Sequence, residues 1–247
     1  MSGHSKWASI KHKKAIVDQK RGKVFTKIIR EITVAAKIGG GDPATNPRLR
    51  TAIDTAKAAN MPADNIDRGI KKGTGDMEGV SYEEVFYEGY GPEGVAVYVQ
   101  CLTDNKNRTS SEIRTIYSKN NGNMAGAGSV AWLFEKKGLI VVEESVAKED
   151  QLMEVAINAG ADDLSKSGTQ FEILSDPQHF EAVKKALDAA KIKYEHASIQ
   201  MIPKNTTAVS VERARAVLTL IDAFEDHDDV QNVYTNCDFP PEIMKEV

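Results

Sequence analysis

Residues 73–79, GTGDMEG, mark the point where the sequence changes period. Before them, apolar side chains recur at the three- and four-residue spacing of a helix. After them, runs rich in valine, tyrosine and phenylalanine alternate with turn residues, as strands do. The fold is read outward from this linker in both directions.

Upstream, Phe25, Ile28, Ile29, Ile32 and Ala36 form one apolar stripe at i, i+3, i+4, i+7 and i+11. At about 100° per residue, Lys20, Lys23, Lys27 and Arg30 fall on the opposite face, which predicts that they point outward. The helix is expected to stop at Gly39-Gly40-Gly41, ahead of Asp42-Pro43. Pro47 suits the first turn of a second helix with Leu49, Ile53 and Ala56 inward. Pro62 and Asp64 open a third, with Ile66 and Ile70 inward, Lys71 and Lys72 near its end and Gly73 as its cap. Residues 1–20 carry only a thin apolar face, Trp7, Ile10 and Val17, and read as a partly ordered arm.

Downstream, strands are expected over 82–90 and 95–102, a helix over 105–120, and a strand over 130–134 after the loop NNGNMAGAGS (120–129). Then follow a strand over 139–142, a helix over 149–158, strands near 163–166 and over 170–174, a helix over 180–190 and a strand over 194–202. That order, βαββαβ, is ferredoxin-like. The remaining helix (211–225) and strand (230–237) are too small to bury a core alone. The expected fold is therefore α+β and multidomain. A basic arm and helical bundle occupy 1–75, an α+β domain is built from 76–135 and 205–247, and a ferredoxin-like domain, 136–204, is inserted in it. Cys101 and Cys237 would share the α+β domain.

The charge is divided as sharply as the period. The chain has 247 residues and a formal net charge of −4. Residues 1–75 alone carry +10, so the rest carries −14. A cationic module on an anionic body points to a polyanion partner for the module and repulsion of that partner elsewhere. The candidate nucleic-acid-binding residues are Lys6, Trp7, Lys11, His12, Lys13, Lys14, Lys20, Arg21, Lys23, Lys27 and Arg30, extended by Arg48 and Arg50. Lysine and arginine supply phosphate contacts, and an aromatic among them can stack on a base. No zinc-finger spacing, basic zipper or helix-turn-helix signature accompanies them, so contact with the phosphate backbone, of DNA or RNA, is expected rather than base readout.

Other classes find little support. The two cysteines are far apart and lack CxxC spacing, which fits a reducing cytosol and buried thiols. No apolar run reaches the ~18 residues of a membrane helix, and no secretory signal is expected. The glycine-rich stretches GGGDP (39–43) and AGAGS (125–129) match neither phosphate-loop nor dinucleotide patterns. The first reads as a turn; the second has enough glycine and asparagine to bring backbone amides close to a partner. EDHDD (225–229) reads as a solvated acidic turn rather than a metal site. No cofactor, metal or catalytic set is implied. The strand SGTQFEIL has one aromatic, and residues 136–204 carry a net charge of −3. Both argue against an RNA platform there and leave the acidic domains for a protein partner.

The motifs SGHSKWASIKHKKA, KVFTKIIREITVAAKIGGGDPATNPRLRTAIDTAKAANMP, DNIDRGIKKGTG, YEGYGPEGVAVYVQCLTDNKNRTSSEIR and GNMAGAGSVAWLFEKKG resemble the YebC/PmpR family over nearly the whole chain. Gly69 departs from the family, which more often has alanine there. The resemblance implies three domains, one helical and two α+β, the last inserted in the second. It also implies a DNA-binding transcriptional regulator. Mitochondrial relatives point instead to translational activation, and bacterial ones to ribosome association. No enzymatic activity comes with it, and the basic stretch Lys6 to Arg30 matches the family's start without a role for each lysine.

Overall fold

The computed structural model describes residues 21–246. Among them, an N-terminal helical region is followed by mixed α/β structure with antiparallel sheets. Within the described residues the chain forms two compact units. The first holds residues up to 131 together with 215–233, the second 132–214 together with 234–246.

In the first unit, three helices build one core: α1 (Arg21–Gly39), α2 (Pro47–Ala58) and α3 (Ala63–Thr74). Ile28, Ile32, Ala35 and Ala36 of α1 meet Leu49, Ala52 and Ala56 of α2 and Ile66 of α3. The loop between α1 and α2 is fixed by Asn46. Its side chain accepts the Leu49 N–H at 3.1 Å, capping α2, and donates to the Ala35 and Gly40 carbonyls, both at 2.8 Å. Pro47 opens α2 as expected. The end of α3 differs from expectation. Its left-handed cap is Gly75 (φ +86), whereas Gly73 lies inside the helix. A Cβ on Gly73 would fall 2.4 Å from the Thr33 carbonyl oxygen and 2.7 Å from Ala36 Cβ. Glycine serves there to let α1 and α3 approach.

A four-stranded sheet completes this unit. β1 (Glu83–Tyr90) and β2 (Ala96–Thr103) pair antiparallel from Glu83↔Thr103 to Tyr90↔Ala96. With β3 (Asn123–Met124) and, late in the chain, a strand over Val230–Thr235, the sheet order is β3, β1, β2 and that late strand. α4 (Lys106–Lys119) follows β2 and is capped by Asn105, which accepts the Arg108 N–H. Tyr117 of α4 is fully buried; its hydroxyl donates to the Val97 carbonyl at 3.0 Å, and its ring meets Phe224 edge-on.

In the second unit, β4 (Phe134–Glu143), α5 (Glu149–Asn158), β5 (Ala161–Ser167), β6 (Gln170–Ser175), α6 (Phe180–Ala189) and β7 (His196–Pro203) follow in order. The strands form an antiparallel sheet in the order β5-β6-β4-β7. Two expected strands, 130–134 and 139–142, become one. Residues Ala131–Leu133 form a 3-10 turn, and β4 runs unbroken from Phe134, paired with β7 from Phe134↔Pro203 to Val141↔His196. α5 and α6 cover one face through Leu152, Ala156, Phe180, Val183 and Leu187, packed on Ile140, Val142, Phe171 and Ile173.

The C-terminal region adds β8 (Thr207–Ala208), α7 (Val211–Glu225), β9 (Val230–Thr235), β10 (Cys237–Asp238) and α8 (Pro241–Glu246). The strand expected over 230–237 is thus divided at Asn236, and β10 pairs parallel with β8. Cys101, in the first unit, and Cys237, in the second, are both buried free thiols. No helix among the described residues is long and apolar enough to cross a membrane.

Candidate nucleic-acid interface

The sequence places Lys23, Lys27 and Arg30 on one face of α1, and the structure gives that face a partner. It is the acidic turn EDHDD, which joins the end of α7 to β9. Lys23 Nζ donates to the Asp226 carbonyl at 2.9 Å, with the Asp226 carboxylate 3.6 Å away. Lys27 Nζ donates to the Glu225 carbonyl at 2.6 Å. Arg30 donates to the Asp228 carbonyl at 2.7 Å and the Asp229 carboxylate at 2.6 Å. The Glu225 and Asp226 carbonyls lie at the C-terminal end of α7, where the helix dipole favours cations, and that of Asp228 lies in the turn beyond it. Arg30 also lies 5.2 Å over the Tyr82 ring.

Asp229 is the centre of this junction. Its side chain is only 4% exposed. One oxygen takes Arg30; the other takes Arg108 at 2.9 Å and the Thr109 hydroxyl at 2.6 Å. Burial pushes its carboxyl upward, but the donors from Thr109, Arg108 and Arg30 outweigh that and hold it at about 2. The expectation of a solvated acidic turn is corrected at this residue: Asp229 is a buried, fully paired anchor. The outward placement is corrected with it for Lys27 and Arg30, which are half-buried, whereas Lys23 is exposed as expected.

A cavity of about 770 Å³ opens beside the junction, lined by Arg108, Glu112, Asp226, His227 and Asp229 among others. Glu112, His227 and Asp229 bring one ligand atom each within 4.8 Å of one another, the spacing of a metal site. Their lone pairs are already engaged. His227 Nδ1 accepts the Asp229 N–H at 3.1 Å, which leaves the proton on Nε2, 2.9 Å from the Glu112 carboxylate. Both Asp229 oxygens hold cations or a hydroxyl. The trio is a hydrogen-bond relay that ties α4 to the turn.

Arg48 and Arg50 are also engaged. Arg48 grips Glu31 with two nitrogens, at 2.6 and 3.0 Å, and reaches Glu84 at 2.8 Å. Arg50 donates to the Pro43 carbonyl at 3.0 Å. Arg21 begins α1. Lys6, Trp7, Lys11, His12, Lys13, Lys14 and Lys20 lie outside the described residues. Lys71 and Lys72 are exposed in the last turn of α3.

The glycine-rich loop after α4 is organised by Glu88, which the sequence did not single out. This buried β1 carboxylate accepts the N–H groups of Gly128, Val130 and Ala131 at 2.7–2.8 Å. Burial acts to raise its pKa, but those donors, with Ser129, bring it below the usual range. The Ala125 N–H adds a bond to the Glu88 carbonyl, and the Tyr90 hydroxyl donates to that of Ser129. Of the loop amides expected to meet a partner, those of Ala125 and Gly128 are thus occupied within the chain.

Family models place the whole arrangement. Residues 5–76 match the TACO1/YebC protein N-terminal domain, and residues 82–237 match the TACO1/YebC second and third domain. The chain belongs to the TACO1/YebC family. A relative from Desulfatibacillum aliphaticivorans, "Probable transcriptional regulatory protein", is 57% identical over 246 residues and covers 100% of both chains. One of the same name from Desulfosudis oleivorans is 60% identical, covering 96% of each. These TACO1/YebC relatives carry regulatory rather than enzymatic names. A solved structure, a conserved hypothetical protein from Aquifex aeolicus, is 47% identical with a TM-score of 0.82, covering 92% of this chain and 94% of that one.

Proposed function

We propose that the protein is a non-enzymatic, nucleic-acid-binding regulator of gene expression, and specifically a DNA-binding transcriptional regulator. It would grip the phosphate backbone through the lysines of residues 1–20. The observation that carries this is the division of charge: +10 within residues 1–75 against −14 in the rest, with the described α1 cations consumed by the EDHDD turn. The five lysines of residues 1–20 are then the reading's candidates for phosphate. The names of the relatives support a regulatory role.

Contact of this kind reads backbone rather than bases, since the cationic face of α1 is turned onto α7 and is not offered to a groove. That favours no particular sequence and leaves ribosomal RNA, and a role as a translation factor, as the second reading. We also read the chain as three domains: 1–75, then 76–135 with 205–247, with 136–204 inserted as a ferredoxin-like unit. The strand order β5-β6-β4-β7 around two helices supports the last of these.

The test is reversal of charge at Lys11, Lys13, Lys14 and Lys20 to Glu. Gel shifts should lose the complex while thermal melting stays at wild type. A retained complex would remove the arm from the mechanism. Crosslinking in cells, with sequencing of bound nucleic acid, separates promoter DNA from ribosomal RNA.

A further inference from the structure

The sheet of β4–β7 has two edges, and they are built differently. Its order is β5-β6-β4-β7, so β5 and β7 each pair on one side only. An open edge offers unpaired N–H and C=O groups to any extended chain, and proteins ordinarily blunt it with charge, proline or a bulge. β5 carries such devices. Its register shifts between Ala161 and Asp163, and Asp162, Asp163 and Lys166 are exposed along it. β7 lacks them over most of its length. Its pairing with β4 runs without a shift from Phe134↔Pro203 to Val141↔His196. Its sequence, HASIQMIP, contains no Asp, Glu, Lys or Arg, and the proline comes last. Among the described residues, the backbone of residues 197–201 makes no hydrogen bond to any strand but β4. Ile199 is 37% exposed on this edge. Its neighbour on β4 is Gly138, which has no side chain to cover it; a Cβ there would fall 2.5 Å from the Phe180 ring.

The strand complements itself. Laid antiparallel on a second copy with Ile199 opposite Ile199, it sets Ala197 opposite Met201 on one face and Ser198 opposite Gln200 on the other. Apolar meets apolar and polar meets polar at these positions, and no like charges oppose each other within the strand. Glu195 precedes the strand and Lys204 follows it. The antiparallel arrangement therefore also brings each Glu195 near Lys204 of the second copy, an opposite-charge contact at both ends of the pair.

We propose that the β7 edge is a self-association surface, on which two copies of this chain join β7 to β7 antiparallel about a two-fold axis at Ile199, each sheet continuing into the other. The contact does not depend on the nucleic-acid reading. One strand pair is small beside the ~1,200–2,000 Å² of a stable interface, so the dimer forms with rising concentration. Sedimentation equilibrium of the whole chain, free of nucleic acid, should show a mass that climbs with concentration from one chain toward two. A one-chain mass up to the solubility limit would overturn the proposal. Ile199→Lys puts a charge on the edge at an exposed position. It should weaken the association at least tenfold with melting unchanged; association as strong as wild type would place the contact elsewhere and overturn it. The location is read independently by crosslinking. Ile199→Cys treated with a short bismaleimide should give a covalent dimer, whereas wild type, whose Cys101 and Cys237 are buried, should not. Lys166→Cys on β5 should stay monomeric under the same treatment. A covalent dimer from Lys166→Cys and none from Ile199→Cys would move the contact to the other edge and overturn the assignment to β7.

Discussion

Asp229 shows how one carboxylate can set the use of several cations. Because Thr109, Arg108 and Arg30 hold its pKa near 2, well below the ordinary value, its contribution to stability is complete above about pH 4 and is lost as pH falls toward 2. Asp229→Asn should therefore flatten the acid limb of the stability curve and cost about 3 kcal/mol at pH 7 in urea unfolding, since Arg30 and Arg108 lose their common partner. Glu88 makes a second prediction at this scale. Glu88→Gln turns one acceptor oxygen into a donor facing backbone N–H groups, which should cost about 2 kcal/mol. Hydrogen exchange at Gly128, Val130 and Ala131 should speed up, with the sheet interior unchanged. Neither residue was legible in the sequence. Helical periodicity placed Lys23, Lys27 and Arg30 opposite the isoleucines but could not say what would lie against them. Their acceptors are about 200 residues away, in a stretch whose composition suggested solvent. Glu88 is one acid in a strand, and only the fold reveals the amides arriving from 40 residues on.

At the scale of elements, the linker at 73–79 does separate helices from strands, and both long-range helices, α5 and α7, lie where periodicity puts them. The errors were local and have physical causes. Gly73 looked like a cap because glycine often is one; the close approach of α1, which only packing shows, is what requires it, and Gly75 takes the left-handed turn. Gly73→Ala should therefore destabilise the bundle by about 1–3 kcal/mol despite alanine's better helix propensity, because its Cβ meets the Thr33 carbonyl. Thermal melting checks this directly, and a stabilised variant would mean that α1 and α3 can part cheaply. β4 was divided in the sequence reading because EKKG interrupts its apolar run. Glu135 and Lys136 are exposed while the backbone continues to pair with β7, so a polar stretch passes through an unbroken strand.

At the scale of the molecule, the division of charge is legible without coordinates, but its use is not. The cations of residues 1–75 do two jobs in this account. Lys23, Lys27 and Arg30 hold the end of α7, while the arm is left for phosphate. The measurement that tests this most directly is the salt dependence of binding to a short duplex and to a single strand, made on wild type, on the Lys11, Lys13, Lys14 and Lys20 charge-reversal variant, and on Lys27→Ala. Five phosphate contacts from the arm predict slopes of log K against log salt of about −4.5 and −3.5 for the two ligands. The arm variant should lose that slope with its melting unchanged, and Lys27→Ala should melt earlier with the slope intact. A slope that survives in the arm variant and falls in Lys27→Ala would contradict the account and return the phosphate grip to α1.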